Sequence, residues 1–183
     1  MGLLEEQSEA GTIDIYYGDE TQVSESGYVP YGWQFKDEEV AIPACRGRSI
    51  NCFGLLSRDN DFHYEITENS INSNFVIAFL DSFSLKVNSL GRLTVVVLDN
   101  ASIHTSSKFK ALLEIWKNRG LYIFYLPPYS PKLNIIERLW KELKEGWIKP
   151  SDYKSADQLF YAVNRICAAI GKTCSINFSK FNF

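Results

Sequence analysis

No stretch of the 183-residue sequence is long and apolar enough to cross a membrane. The longest such run near its centre, LTVVVL at 93–98, falls far short of the roughly 20 residues a spanning helix needs. The start, MGLLEEQSEA, is acidic and lacks the basic-then-apolar order of a secretory signal. Both absences lead us to expect a cytoplasmic protein. Cysteine is scarce too. Four residues form two spaced pairs, Cys45 with Cys52 and Cys167 with Cys174, each with six residues between its members. Zinc knuckles separate paired ligands by about two to four residues, so buried free thiols are expected here. Disulfides are not expected in a reducing compartment. An overall excess of positive charge is also missing, since the formal net charge is −3. The charge is uneven, however. Residues 1–44 hold ten acids and one base, Lys36, whereas residues 104–154 hold ten bases against five acids. An acidic front and a basic second half can coexist in an enzyme of nucleic acids, although solvated helix faces produce the same pattern.

What is present is enough for one well-packed domain: 45% of residues are hydrophobic and 14% aromatic. Residues 1–10 read as a frayed tail. TIDIYYGD (12–19) alternates, with Ile13, Ile15, Tyr17 and Asp19 on one face, and predicts a strand. GYVPYGWQF (27–35) is a turn-rich extended piece. VAIPA (40–44), RSINCFGLLS (48–57) and FHYEI (62–66) predict further strands, so the early part is an antiparallel meander. The period then changes. Phe75, Phe79, Phe83 and Val87 recur every fourth residue and predict a helix from Ser73. LTVVVLD (93–99) and LYIFYL (121–126) are apolar on both faces, as in strands covered by helices on each side. Helices are expected at 106–120, at 133–148, and at 155–171 with Ser155 and Gly171 as caps. The aromatic end, NFSKFNF, is expected to pack on the body or on a partner. The fold class is therefore α/β, with a mixed sheet flanked by helices.

Three acids stand out. Asp19 and Asp99 are expected to end strands, and Glu137 lies in the first turns of the helix after PPYSP. On that helix Leu133, Ile136, Trp140, Leu143 and Trp147 make the buried face, and Glu137 sits at its rim. Burying an unpaired charge is costly, and like charges cannot gather without a counter-charge. Oxygen ligands alone suit Mg²⁺ or Mn²⁺, and two such ions about 4 Å apart serve phosphoryl transfer. Taken singly, each acid is as well explained as a strand-end or helix-face charge.

GDET (18–21), LDNASIH (98–104) and LPPYSPKLNIIERLWKELK (126–144) together resemble the catalytic domain of DDE transposases of the mariner-like superfamily, in its bacterial insertion-sequence branch. The likeness covers about residues 11–148, and its last motif is the most specific. It implies a ribonuclease-H-like fold. It also implies that Asp19, Asp99 and Glu137 are catalytic residues and hold Mg²⁺ or Mn²⁺, as two ions. The implied activity is DNA cleavage at transposon ends, then transfer of the freed 3′-hydroxyl into target DNA without a covalent protein–DNA intermediate. The active complex is expected to be a homodimer, with helix-turn-helix modules upstream in a full-length protein. Two departures are visible. Ile135 stands where the pattern has Pro, and the 37 residues between Asp99 and Glu137 are a little more than usual.

Around the acids, Asn100 and His104 either hold Asp99 or shape the turn after it. Arg138, Lys141 and Lys144 are candidate contacts to the DNA backbone. Trp140 and Trp147 are expected in the core, and Tyr129 with its flanking prolines in a rigid turn presenting the helix. The expected organisation is a flexible tail at 1–10, a catalytic domain at 11–150, and a C-terminal helix and aromatic tail at 151–183 packing on that domain. Two other functions fit the same residues: a different ribonuclease-H-like nuclease, and a non-catalytic remnant kept for DNA or protein binding.

Overall fold

A computed structural model describes residues 1–25, 36, 47–128 and 130–178. Its elements are, in chain order, α1 (Gly2–Glu9), β1 (Ile13–Ser24), β2 (Ser49–Leu56), β3 (Phe62–Thr67), α2 (Ser73–Leu90), β4 (Leu93–Leu98), α3 (Ser102–Thr105), α4 (Ser107–Lys110), α5 (Leu113–Asn118), β5 (Leu121–Tyr125), α6 (Ile136–Glu142) and α7 (Ala156–Ala169). A 3₁₀ turn at Pro131–Leu133 leads toward α6, and a π turn at Leu143–Trp147 follows it. The extended pieces expected at 27–35 and 40–44 lie outside the described residues, as do Cys45, Tyr129 and the end of the aromatic tail.

The five strands form one sheet in the order β3-β2-β1-β4-β5. β1, β2 and β3 pair antiparallel; β1, β4 and β5 pair parallel. The change of direction follows from connection length. β2 and β3 are joined by a tight turn, whereas β3 reaches β4 through α2, and parallel neighbours need such a crossover. Asn72 caps α2 by accepting from the amides of Asn74 and Phe75, and Gly91 ends it in the left-handed region at φ 69°.

Because successive strand residues point to opposite faces, each strand feeds two cores. Ile13, Ile15, Tyr17, Cys52, Val95 and Val97 pack under α6 and α7 with Ile136, Leu139, Leu143, Leu159 and Val163. Phe53, Leu55, Val96 and Leu98 pack under α2, α4 and α5 with Val76, Leu80, Phe109 and Trp116. Truncating a fully buried leucine such as Leu139 to alanine should cost about 2–5 kcal/mol.

Several expectations are corrected. Residues 2–9 are helical instead of frayed: Glu5 accepts from the Tyr17 hydroxyl at 2.8 Å and pairs with Arg58 at 2.9 Å, and Met1 and Leu4 pack on the core. The buried stripe of α2 is Val76, Leu80, Phe83 and Val87, with Phe75 and Phe79 at its edge. The helix expected at 106–120 is broken at Ala111 and Leu112 into α4 and α5. The helix expected at 133–148 is regular only over Ile136–Glu142. Ser155 caps α7 as expected, but the helix stops before Gly171. Trp140 is buried and Trp147 packs partly against the same core. Cys52 and Cys167 are free buried thiols and Cys174 is a half-buried one. The contact in space joins Cys52 to Cys167, which pushes the Cys52 thiol up together with its burial. Among the described residues no helix is long and apolar enough to cross a membrane.

Candidate active site

β1 and β4 run side by side, Ile13 level with Leu93 and Tyr17 level with Val97. Two residues further along the same register, Asp19 comes level with Asp99. Neighbouring strands lie about 4.8 Å apart, and both residues share the face of Tyr17 and Val97, so the two carboxylates point to the same side. Asp19 does not end its strand, contrary to expectation. β4 stops at Leu98, whereas β1 continues to Ser24 paired with β2 alone. Asp19 therefore sits in mid-strand, at the first open place beside β4.

The third acid arrives from the helix above this face. Ile135, Ile136, Leu139 and Trp140 bury the apolar side of α6 against the sheet. Asn134, itself buried, donates from Nδ2 to the Gly18 carbonyl at 3.2 Å and ties the start of α6 to β1 beside Asp19. On the opposite face of β1, Gly18 lets Leu98 and Leu55 close over the strand, since a Cβ would meet their side chains at 2.6 and 2.8 Å. Glu137, in the first turn of α6, then faces the strand ends. Asp19, Asp99 and Glu137 line one cleft of about 420 Å³, with Asn100, Ala101, Leu126, Pro127, Pro128, Ser130 and Asn134 completing its wall.

Among the described residues no lysine or arginine lines this cleft, and the electrostatics show it. Burial, then the charges of Glu20, Glu137 and Asp99, push the Asp19 carboxyl up from 3.8 to about 8. Asp99 moves the other way. A hydrogen bond from His104 and one from the Ala101 amide hold it below the usual carboxylate range, against the effect of its own burial. Among the described residues no three acidic, histidine or cysteine side chains are drawn tightly enough together to hold an ion as they stand. Mutual repulsion of like charges resists such closure until a cation is present.

His104 donates from Nδ1 to Asp99 Oδ1 at 2.8 Å, so it holds Asp99. Asn100 reaches the other way: its Nδ2 donates to the Leu126 carbonyl at 2.5 Å, tying the segment after β4 to the end of β5. Arg138 and Lys141 are exposed and Lys144 is half-buried, and none of the three lines the cleft. Lys141 lies one turn after Glu137 and pairs with Glu145 at 3.9 Å. Lys144 falls in the π turn, whose wider winding rotates it away from simple helical register.

Two residues escaped the sequence reading. Asn134 carries a buried Oδ1 without a hydrogen-bond partner in the cleft wall. Its signal was a lone amide inside the apolar run LNII. Glu20 was visible only as a neighbour of Asp19. It stands on the opposite face of β1, behind Asp99. The donor set of the cleft among the described residues, three carboxylates and an unpartnered amide oxygen, suits a hard divalent cation.

The DDE superfamily endonuclease family matches residues 14–160, and the chain belongs to it. An uncharacterized protein of Sinorhizobium fredii is 30% identical over 82 residues, which are 45% of this chain and 54% of that protein. An uncharacterized 39 kDa protein of insertion element IS630 from Shigella sonnei is 24% identical over 158 residues, 85% of this chain and 45% of its own. The chain thus spans about half the length of the curated relatives it matches. A pre-cleavage Mos1 transpososome superposes with a TM-score of 0.59 at 16% identity, covering 91% of this chain and 52% of the other. The fold is the ribonuclease-H-like fold of transposase and integrase catalytic cores, and the chain is a DDE-type endonuclease domain.

Proposed function

We propose that this chain is the catalytic domain of a transposase. It would cleave DNA phosphodiester bonds at transposon ends and pass the freed 3′-hydroxyl into target DNA. One observation carries this reading: three acids from three separate segments of the chain line a single cleft to which no described lysine or arginine contributes.

Asp19, Asp99 and Glu137 would hold the divalent cation, Mg²⁺ or Mn²⁺, as a pair of ions. Such ions, when bound, supply Lewis acidity toward the phosphate oxygens and the counter-charge that the cleft lacks. The rest is done by the chain. Asp19 gives up its proton as the counter-charge arrives. His104 and the Ala101 amide hold Asp99 ionised and oriented. Asn134 fixes α6, and with it Glu137, against β1. The partner is DNA, approached by Arg138, Lys141 and Lys144 on the helix that bears Glu137. The acting complex is a homodimer whose full-length chains carry upstream helix-turn-helix modules. The catalytic domain is residues 11–150, on which 151–183 pack, and the protein works in the cytoplasm.

The test is nicking of supercoiled DNA in Mg²⁺ or Mn²⁺. Cleavage by the parent and none by Asp99→Asn supports the proposal. No cleavage by a folded parent protein on DNA bearing its transposon ends favours the non-catalytic remnant. Cleavage of those ends without strand transfer favours another nuclease of the same fold.

A further inference from the structure

Asp99 uses its two carboxylate oxygens differently. Oδ1 accepts the Ala101 amide at 3.0 Å and His104 Nδ1 at 2.8 Å. With Oδ1 engaged twice, Oδ2 is the oxygen left for the cleft. An ionised carboxylate only accepts, so the proton of this contact belongs to Nδ1. His104 itself is fully buried. Its ring packs near Phe53 and Phe109, at centroid distances of 6.1 and 6.3 Å, and its carbonyl accepts the Tyr125 hydroxyl at 2.8 Å. A buried imidazole needs both nitrogens satisfied, or it loses more than it gains from one bond.

Among the described residues the other nitrogen has one candidate. His104 Nε2 and Glu20 Oε2 are both buried without a hydrogen-bond partner, and they lie 3.7 Å apart. That is a few tenths of an ångström too long for a hydrogen bond, within reach of a small side-chain rotation. A bond between them needs one proton, which either atom can carry. Glu20 is placed for this by strand alternation: Asp19 turns to the cleft, so the next residue turns to the face where α3 carries His104. The adjacent acids thus approach Asp99 from its two sides.

We propose that Glu20 is a positioning residue for the cation site, gripping His104 Nε2 so that Nδ1 holds Asp99 Oδ1 and presents Oδ2 to the cleft. This rests on the reading of Asp99 as a cation ligand. Groups that orient a ligand through an intervening imidazole typically change metal affinity by about 10–100-fold when removed.

The experiment is calorimetric titration with Mn²⁺ at one fixed pH, with thermal melting of each metal-free protein alongside. Glu20→Gln and Glu20→Leu remove the same charge, but only the glutamine can still hydrogen-bond Nε2. The expected result is that Glu20→Leu binds Mn²⁺ about 10-fold or more weaker than Glu20→Gln. His104→Asn probes the same link without changing Glu20. Its amide can still face Asp99 but cannot reach Glu20, and it should lose affinity to a similar degree. A general loss of fold would lower melting in the metal-free state; a positioning role lowers Mn²⁺ affinity in proteins that melt normally. If the parent binds Mn²⁺ while the leucine and glutamine variants match, or His104→Asn binds like the parent, this inference fails and the cleavage proposal stands. If the folded parent binds no Mn²⁺, or Asp99→Asn binds it equally well, both fail.

Discussion

The two ends of β1 treat their acids in opposite ways. At the start of the strand three acids have partners: Glu5 pairs with Arg58, Asp14 with Arg92 at 3.0 Å, and Asp61 accepts the Tyr16 hydroxyl at 2.5 Å and faces His63 at 3.3 Å. That end also holds the larger cavity, about 700 Å³, with Glu5, Asp14, Tyr16, Arg58 and Asp61 in its wall. At the other end Asp19, Glu20, Asp99 and Glu137 crowd together with His104 as their one basic neighbour among the described residues, and the cavity there is smaller. The difference teaches that cavity size is a poor guide in this molecule. Paired acids are already satisfied by the fold, whereas acids gathered without counter-charge are the ones whose pKa a neighbouring charge would move.

The sharpest way to break this contrast is to neutralise acids at the crowded end. Asp19→Asn and Asp99→Asn should each lower metal-dependent nicking by about three orders of magnitude or more. Several kcal/mol of transition-state stabilisation are at stake, at about 1.4 kcal/mol per tenfold in rate. Their effects on melting without metal should differ. Asp19→Asn removes the cost of taking up a proton on folding and should raise the melting temperature. Asp99→Asn weakens contacts with His104 and Ala101 and should not. Nicking at the parent rate by either variant would make that acid an ordinary surface charge.

At the paired end the expected sign is reversed. Glu5→Ala removes the acceptor shared by the buried Tyr17 hydroxyl and Arg58. It should cost about 1–3 kcal/mol, at about 2–4 °C per kcal/mol, with nicking per folded molecule unchanged. A variant that melts like the parent would show that α1 contributes nothing to the fold.

Asp19 also makes stability depend on pH. Its carboxyl titrates at about 8 in the folded protein against 3.8 ordinarily. Between those values the folded state keeps a proton that the unfolded chain has lost. Metal-free stability from this group is therefore full below pH 4, falls as pH rises toward 8, and changes no further above it. Mn²⁺ should raise melting most at the upper end of the window, where it no longer displaces a proton. Melting curves for the parent and Asp19→Asn across pH 4–9 check this; equal slopes would mean that Asp19 titrates normally.

Much of the candidate site was legible in the sequence through the resemblance carried by GDET, LDNASIH and LPPYSPKLNIIERLWKELK, whereas each acid taken singly read as well as a surface charge. The parallel strands were legible as local patterns. What escaped depends on distant contacts. GLLEEQSE is too short to hold a helix alone, and what anchors α1 is Arg58, more than fifty residues away. TQVS after Asp19 is polar, so nothing local showed that β1 would continue along β2 after leaving β4. Glu20 could not be assigned either. Its role needs both the strand's alternation and the position of His104, eighty-four residues later, under the opposite face.

The smallest expected effect concerns the basic side chains beside the site. Lys141 follows Glu137 by one turn of α6, and Lys144 lies in the π turn beyond it. Each phosphate that a lysine neutralises in duplex DNA releases condensed counterions and adds about 0.9 to the slope of log K against log salt. If both lysines touch phosphate, Lys141→Ala with Lys144→Ala should flatten that slope by about 1.8 and weaken binding most at low salt. The π turn makes Lys144 the weaker candidate, and Glu145 competes with DNA for Lys141 at 3.9 Å. A drop nearer 0.9 in the double variant, reproduced by Lys141→Ala alone, would assign the contact to Lys141. Because these contacts read no base edges, the loss should be equal on transposon-end and unrelated DNA. An unchanged slope in a salt titration would leave both lysines as solvated helix charges and Arg138 as the basic candidate remaining on this helix.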